Sequence, residues 1–89
     1  KKLIERKKTD FLKSHGRIFC EVCDFDFEEK YGKRGTNFCE VHHTIPVSEM
    51  NPGHQSSLDE LVITCANCHR MIHRERPWLT MEELKKILK

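Results

Sequence analysis

The amino-acid sequence predicts a small α+β domain whose thin hydrophobic core needs an additional cross-link. The chain has 89 residues, of which 37% are apolar and 34% are charged, so it can bury little apolar surface. Four of its five cysteines form two C-x-x-C pairs, Cys20/Cys23 and Cys65/Cys68. Short apolar runs with strand character lie between segments with helical patterning. Domains of this size and composition usually depend on disulfides or on a bound metal.

Helices are predicted at both ends of the chain. Residues 2–14 are rich in helix formers, carry an apolar pair near each end and precede Gly16, and glycine is typical of helix C-termini. Near the other end, Thr80 and Glu83 have the spacing of a capping box. The buried face of the helix that follows is predicted to consist of Leu84, Ile87 and Leu88.

The middle of the chain alternates predicted strands with the cysteine pairs. We expect a strand over residues 18–23 that runs into the first pair, and two further strands over residues 38–43 and 61–64. A polar loop covers residues 48–57. A helix over residues 67–74 begins within the second pair and ends before a proline.

Charge is unevenly distributed, although the formal net charge is only +2. Residues 1–17 contain seven Lys or Arg and two acids, whereas residues 20–29 contain five acids and no Lys or Arg. The basic arm could lie along nucleic-acid phosphates. A solvated helix face explains the same pattern equally well, so the arm alone does not indicate a partner.

The two cysteine pairs predict a structural zinc ion. The chain opens on a charged run without signal-peptide character and has no apolar stretch long enough to span a membrane, so we expect a cytoplasmic, reducing setting. There, paired C-x-x-C indicates zinc rather than disulfides. Four thiolates complete a tetrahedral Zn²⁺ and leave no open position. Cys39 has no such partner and is interpreted as a small strand residue.

Four histidines form two close groups that predict a second metal centre. His42 and His43 end a predicted strand, and His69 and His73 lie four residues apart on one helix face. Adjacent strand residues point to opposite sides. We therefore expect one histidine of the first pair to join His69 and His73 on a metal with open positions, which is typical of a catalytic site, while the other acts on water. The alternative is a second structural zinc held by all four.

Three segments resemble a known family. They are Cys20-Glu21-Val22-Cys23, Glu40-Val41-His42-His43-Thr44-Ile45-Pro46, and the run from Leu58 to His73 that contains the second cysteine pair. Over residues 20–73 the chain resembles an HNH endonuclease. This resemblance implies a zinc-stabilised ββα-metal fold, treble-clef-like, with flanking helices. The first knuckle and the Arg76-Pro77-Trp78-Leu79 exit are similar to the nuclease domains of bacterial restriction endonucleases, including those that attack modified DNA.

The resemblance also implies roles for individual residues. The ligands of the family's catalytic divalent metal correspond to His42, His69 and His73. The general base corresponds to His43. Where the family has a middle Asn that steadies the base and its loop, this chain has Glu60, so that supporting role falls to Glu60 or Asp59. The remaining histidines, His15 and His54, are interpreted as surface or core residues.

The implied reaction is metal-dependent hydrolysis of DNA phosphodiester bonds, by nicking or by restriction-type cleavage, with 5′-phosphate and 3′-hydroxyl products. Imidazole ligands favour Zn²⁺, Ni²⁺, Co²⁺ or Mn²⁺ over Mg²⁺, although the family is metal-permissive and Mg²⁺ stays among the expected ions. Arginines near the histidine pair could hold flanking phosphates bidentately, with solvent-facing charge as the alternative. They are Arg70, Arg74 and Arg76.

We interpret residues 1–89 as one nuclease domain: a basic N-terminal helix over 1–17, a zinc-clipped core over 18–76 and a C-terminal helix over 77–89. No long basic recognition helix is evident, so we expect either target choice by a flanking domain or partner subunit, or nicking of double-stranded DNA with little preference. One site cuts one strand, so a double-strand break requires a homodimer or two nicks. The alternative function is a non-catalytic zinc module that binds DNA or protein.

Overall fold

The computed structural model describes residues 2–89, apart from the side chain of Val47. This part of the chain contains four α-helices and a two-stranded antiparallel sheet. In chain order they are α1 (Lys2–His15), α2 (Phe27–Tyr31), β1 (Glu40–His43), β2 (Leu61–Thr64), α3 (Ala66–Ile72) and α4 (Met81–Ile87). Three short 3₁₀ turns lie at Gly32–Gly35, Val47–Glu49 and Leu58–Glu60. The small α+β fold predicted from the sequence is confirmed.

The two strands form a hairpin with a long connection. Glu40 pairs with Thr64 and His43 pairs with Leu61, and the N–H of Thr44 donates to the carbonyl of Glu60 at 2.8 Å to close the pairing. Both strands lie at the predicted positions, except that β1 begins two residues later than expected. Because side chains alternate along a strand, one face of β1 is directed to α1 and the other to α3.

Two small clusters of buried side chains form the core, one on each side of the sheet. The cluster beneath α1 consists of Phe11, Ile18, Cys39 and Ile63. The cluster beneath α3 and α4 consists of Cys20, Val22, Cys65, Cys68, Ile72 and Leu84. Half of the second cluster is cysteine, so its stability depends on what these thiols bind. This arrangement fits the thin core expected from the composition.

The basic arm is helical as predicted and is partly neutralised by the acidic segment that follows it. Nζ of Lys7 lies 3.6 Å from Glu21, and Arg17 donates to Asp26 at 2.8 Å. The helix ends at His15. It is followed by Gly16, whose φ of 78° suits glycine and whose N–H donates to the carbonyl of Leu12 at 2.7 Å. Lys1, the first residue of the predicted arm, lies outside the described residues.

The predicted strand over residues 18–23 is wrong. The backbone N–H of Glu21 donates to the carbonyl of Ile63 in β2 at 2.8 Å. The N–H of Ile63, however, donates to the carboxylate of Glu21 and not to a backbone carbonyl, so no second backbone hydrogen bond forms. The chain then turns, with the N–H of Asp24 donating to the carbonyl of Cys20 and φ of Asp24 at 69°. The metal knuckle therefore bends the backbone before a ladder can form.

The last helix forms as the sequence predicts. Thr80 accepts the N–H of Glu83 at 3.1 Å and the Glu83 carboxylate accepts the N–H of Thr80 at 2.9 Å, which completes the capping box. Leu84 is buried, whereas Ile87 and Leu88 are largely exposed, so the predicted buried face is narrower than expected. In residues 2–89, no helix is both long enough and apolar enough to cross a bilayer.

Candidate metal centres and active site

The four paired cysteines converge on one point between the first knuckle and the start of α3. Their sulfur atoms all lie within 4.8 Å of one another, and three of the four residues are buried. Sγ of Cys23 and Sγ of Cys65 are 3.7 Å apart, far beyond the roughly 2.05 Å of a disulfide. Four sulfurs at about 2.3 Å from a tetrahedral zinc ion would be about 3.8 Å apart. The spacing therefore fits a tetrathiolate metal site.

Backbone N–H groups support the two knuckles. Val22 donates to Sγ of Cys20, and Cys68 donates to Sγ of Cys65, each at 3.4 Å. Burial raises the pKa of Cys23 to about 11 and also raises the pKa of Cys68, because a buried thiolate without a counter-charge is costly. A bound cation supplies that charge, so the chemistry of these donors fits a structural metal ion.

Cys39 lies outside this group of four. It is buried one residue before β1, in the cluster beneath α1 with Phe11 and Ile63. Its position agrees with the interpretation as a small apolar residue of the strand region.

Three of the four clustered histidines come together between β1 and α3. The ring nitrogens of His42, His69 and His73 lie within 4.8 Å of one another. Nδ1 of His42 is 3.2 Å from Nε2 of His73. Two ligands at about 2.0–2.1 Å from a tetrahedral ion would be about 3.3 Å apart, so the pair fits two positions on one metal. Strand alternation directs His42 to this side of the sheet, and the i, i+4 spacing on α3 brings the other two to it.

The protonation of these rings also suits a metal. His42 is buried, and burial together with the neighbouring His69 and His73 lowers its pKa to about 4. Burial, His69 and Arg76 lower the pKa of His73. Neutral imidazole is the form that binds metals.

Glu40 orients the third ring. Its Oε1 lies 2.8 Å from Nδ1 of His69, which leaves Nε2 of His69 as the nitrogen that could bind a metal. Carboxylates commonly hold metal-binding histidines in this way and set the tautomer. Sequence pattern alone does not mark Glu40 as a site residue, although its spacing two residues before His42 places both on the same strand face.

Trp78 covers the histidine cluster from the side of α4. Its ring centroid lies 4.2 Å from that of His73 and 5.3 Å from that of His42. The tryptophan also packs against the cluster of buried residues beneath α3 and α4. No sequence pattern indicates this contact, because Trp78 lies in an irregular segment after α3.

His43 does not join the metal cluster. Its Nε2 lies 3.0 Å from Oε1 of Glu60 and 3.2 Å from Oγ of Ser56. The same carboxylate oxygen is 3.0 Å from Nε2 of His54. The hydrogen bond from His54, with a smaller contribution from His43, lowers the pKa of Glu60, so this side chain is a carboxylate at neutral pH.

The structure separates the two candidate supporting acids. Glu60 contacts His43, whereas Asp59 accepts a hydrogen bond from Ser57. His54, interpreted from the sequence as a surface or core residue, lies against Glu60 instead. No pattern marks it, because it lies in a polar loop without periodicity. His15 stacks on Phe11 at 4.1 Å between ring centroids, as expected of a packing residue.

The three arginines occupy different surroundings. Arg70 lines an open depression with Glu40, His69 and His73. The guanidinium of Arg76 lies 5.6 Å above the ring of Trp78, beside the histidines. The third, Arg74, lines a groove shared with Met71 and Ile87, apart from the three clustered histidines.

Comparison with known proteins agrees with this geometry. The family model for the HNH endonuclease matches residues 20–75, which is more than half of the chain. The searches of curated proteins and of solved structures found no match to this chain. The matched segment includes both cysteine pairs, the four clustered histidines and Glu60. The chain therefore belongs to the HNH endonuclease family.

Proposed function

We propose that this chain is a divalent-metal-dependent endonuclease that hydrolyses phosphodiester bonds of double-stranded DNA. The observation that carries the proposal is the divergence of two adjacent histidines. His42 lies against His73 in the metal-binding cluster, whereas His43 contacts Glu60. One imidazole is thus available to a metal and its neighbour to a water molecule. Membership of the HNH endonuclease family supports the same assignment.

The residues proposed to hold the catalytic metal are His42, His69 and His73. Three protein ligands leave positions for other groups, as in catalytic sites. A divalent ion bound there supplies positive charge where negative charge develops on the phosphate and on the leaving 3′ oxygen. Imidazole nitrogens favour Zn²⁺, Ni²⁺, Co²⁺ or Mn²⁺ over Mg²⁺. The four cysteines hold a separate, structural zinc.

His43 is the proposed general base. Because the Glu60 carboxylate can only accept hydrogen bonds, Nε2 of His43 carries the proton in their 3.0 Å contact. Nδ1 then has the free electron pair that removes a proton from the attacking water. Glu60 stabilises the imidazolium that results, and so takes the supporting role that the family gives to an asparagine.

Arg70 and Arg76 are the proposed phosphate contacts. Arg70 borders the open depression beside His69 and His73, where a DNA strand can approach the metal-binding rings. A guanidinium there would hold a neighbouring phosphate with two parallel hydrogen bonds. Arg74 lines another groove and is the weakest of the three candidates for this role.

The test is nicking of supercoiled plasmid by the zinc-loaded protein after dialysis against a weak chelator. We expect no nicking without added metal and nicking when Mn²⁺, Co²⁺, Ni²⁺, Zn²⁺ or Mg²⁺ is supplied. His43→Ala should lose roughly 10²–10⁴-fold in rate and keep its fold and metal content. His15→Ala serves as the matched histidine control.

Two outcomes would contradict the proposal. If folded His43→Ala nicks at the wild-type rate, the assignment of the base is wrong. If the wild-type protein binds DNA but cleaves it with none of these ions, the chain acts as a non-catalytic zinc module.

A further inference from the structure

Two exposed aromatic side chains lie in a part of the surface that the proposed reaction does not use. Tyr31 is 63% exposed and Phe38 is 50% exposed. Together with Phe27, Arg34 and Gly35 they line a shallow depression of about 230 Å³. Clustered apolar exposure of this kind marks binding surfaces. We call this surface, with the adjacent Lys30 and Lys33, the aromatic–basic patch.

The depression is a built feature of the fold. The rings of Phe27 and Phe38 meet edge to face with centroids 4.8 Å apart. Gly35 lies so close to the start of α2 that a Cβ there would be 2.3 Å from the carbonyl oxygen of Phe27. The 3₁₀ turn is thereby pressed onto the helix, and Tyr31 is left with its ring towards solvent above that junction.

The charge along the segment from the end of α2 to β1 has one sign. Residues 30–39 contain Lys30, Lys33 and Arg34 and no acid. Within residues 2–89, none of these three cations forms an ion pair. The acids of α2 lie in its first turn, where the helix dipole favours them. The three cations after that first turn are therefore available to a polyanion.

The patch lies next to the proposed active site along the chain. Cys39 and Val41 pack towards α1, whereas Glu40 and His42 contact the histidines of α3. Phe38 precedes β1 by two residues, and its ring contacts Phe27, which packs against the cluster beneath α3 and α4. Because extended chain spans at most about 3.6 Å per residue, Phe38 lies within about 7 Å of Glu40 and about 14 Å of His42 along the backbone. A strand of a few nucleotides, at 3.4 Å each along the duplex axis, covers that distance.

We propose that the aromatic–basic patch binds an unpaired segment of the DNA strand beside the cleaved phosphate. Bases stack on the rings of Tyr31 and Phe38, and Arg34 contacts a phosphate. Aromatic faces that hold bases and cations that follow the backbone are the common means of binding single strands. The proposal rests on the proposed nuclease function and adds a preference for frayed, gapped or locally opened DNA.

The test is equilibrium binding, measured by fluorescence anisotropy with the zinc-loaded chain and no added catalytic metal. The probes are a short labelled single strand, the same sequence as a duplex, and the duplex with a gap. Tyr31→Ala should weaken binding of the single strand and the gapped probe by about 5- to 100-fold and leave duplex binding unchanged. Tyr31→Phe should restore it.

Two further variants complete the design. Ile87→Ala is the matched control, because Ile87 is 60% exposed on α4, and we expect it to bind like wild type. On the single strand, Arg34→Gln should make the negative slope of log binding constant against log salt concentration shallower by about 0.7, the amount for one lost phosphate contact.

The proposal is overturned if Tyr31→Ala binds the single strand as tightly as wild type, or if its affinities for the single strand and for the duplex fall by the same factor. Plasmid nicking by the same preparations separates this result from a failure of the proposed function. A wild-type chain that nicks, with a Tyr31→Ala variant that binds normally, overturns the patch alone. A wild-type chain that neither binds nor nicks DNA overturns both.

Discussion

The indole of Trp78 lies against the imidazole of His73, with ring centroids 4.2 Å apart and planes tilted by 55°. The ring of His42 lies 5.3 Å from the same indole. The histidines come from β1 and from α3 and its C-cap, and Trp78, which belongs to neither element, contacts one histidine of each. A metal held by these rings would lie close to the chain's single tryptophan.

The first prediction uses that tryptophan as a reporter. Titration of the zinc-loaded protein with Co²⁺ should quench the emission of Trp78, because a paramagnetic ion on the neighbouring imidazoles provides a route for non-radiative decay. The quenching should saturate at one ion per chain, measured as fluorescence against added metal.

The control for this titration is His69→Ala. The imidazole rings that contact Trp78 are those of His42 and His73, so removal of His69 leaves these neighbours of the fluorophore in place. We expect saturable quenching to disappear in this variant. Quenching that persists with unchanged affinity would mean that Co²⁺ binds elsewhere.

The fold could be predicted where local pattern and metal spacing agree. The capping box of Thr80 and Glu83, the strand over residues 61–64 and the two C-x-x-C pairs are local signals, and the structure has each where expected. The prediction of a strand over residues 18–23 is wrong because the apolar pattern there suits a strand, whereas the knuckle bends the backbone at Cys20. Side-chain bonding by Glu21 to β2 leaves no trace in such a pattern.

In the candidate site, too, local pattern predicts some contacts and not others. Adjacent histidines on a strand must diverge, so the separation of His42 from His43 followed from alternation alone. His54 and Trp78 reach the site from irregular segments, where no periodicity fixes which side chains meet. Their contacts depend on the path of the chain after β1 and after α3, which only the tertiary structure defines.

The second prediction concerns the cysteine cluster. Cys65→Ser should abolish cooperative thermal unfolding and reduce bound zinc, because structural zinc contributes about 10–16 kcal/mol of apparent binding energy and domains are stable by about 5–15 kcal/mol. Circular dichroism and metal analysis measure both effects. Cys39→Ser is the control, since Cys39 is buried away from the cluster, and it should keep its zinc and lose only about 1–2 kcal/mol. Equal zinc content in Cys65→Ser and wild type would contradict the tetrathiolate site.

The third prediction concerns Asp26, which caps α2. Its carboxylate accepts the N–H groups of Glu28 and Glu29 at 2.9 and 3.1 Å and the guanidinium of Arg17 at 2.8 Å. Burial opposes ionisation, but these donors outweigh it and hold the pKa of Asp26 below its ordinary value. Asp26→Ala should cost about 1 kcal/mol, a fall in Tm of about 4–8 °C.

The pH dependence of that loss follows from the direction of the shift. Because the folded pKa is depressed, the stabilisation is complete above the unfolded value of about 3.9, declines as pH falls below it, and is lost as pH falls through the folded value. Thermal melts of Asp26→Ala and wild type should therefore differ by the same amount at pH 6 and pH 8. Asp10→Ala, which removes an exposed pair with Arg6, should change Tm little. A difference that shrinks between pH 8 and pH 6 would show that another group titrates.

The last prediction distinguishes the two neighbouring acids. Glu60 contacts His43 and Asp59 does not, since Asp59 bonds Ser57. Glu60→Ala should therefore lower the nicking rate by about 10–100-fold, the effect typical of a group that orients a reacting or metal-binding histidine, with metal content and Tm little changed. Asp59→Ala should cleave within a few fold of wild type. Glu60→Gln tests the charge: its amide oxygen can still accept from Nε2 of His43, but it cannot stabilise an imidazolium as a carboxylate does. Intermediate activity in Glu60→Gln would therefore separate orientation of the base from stabilisation of its charge, whereas equal rates in Glu60→Ala and Asp59→Ala would remove Glu60 from the mechanism.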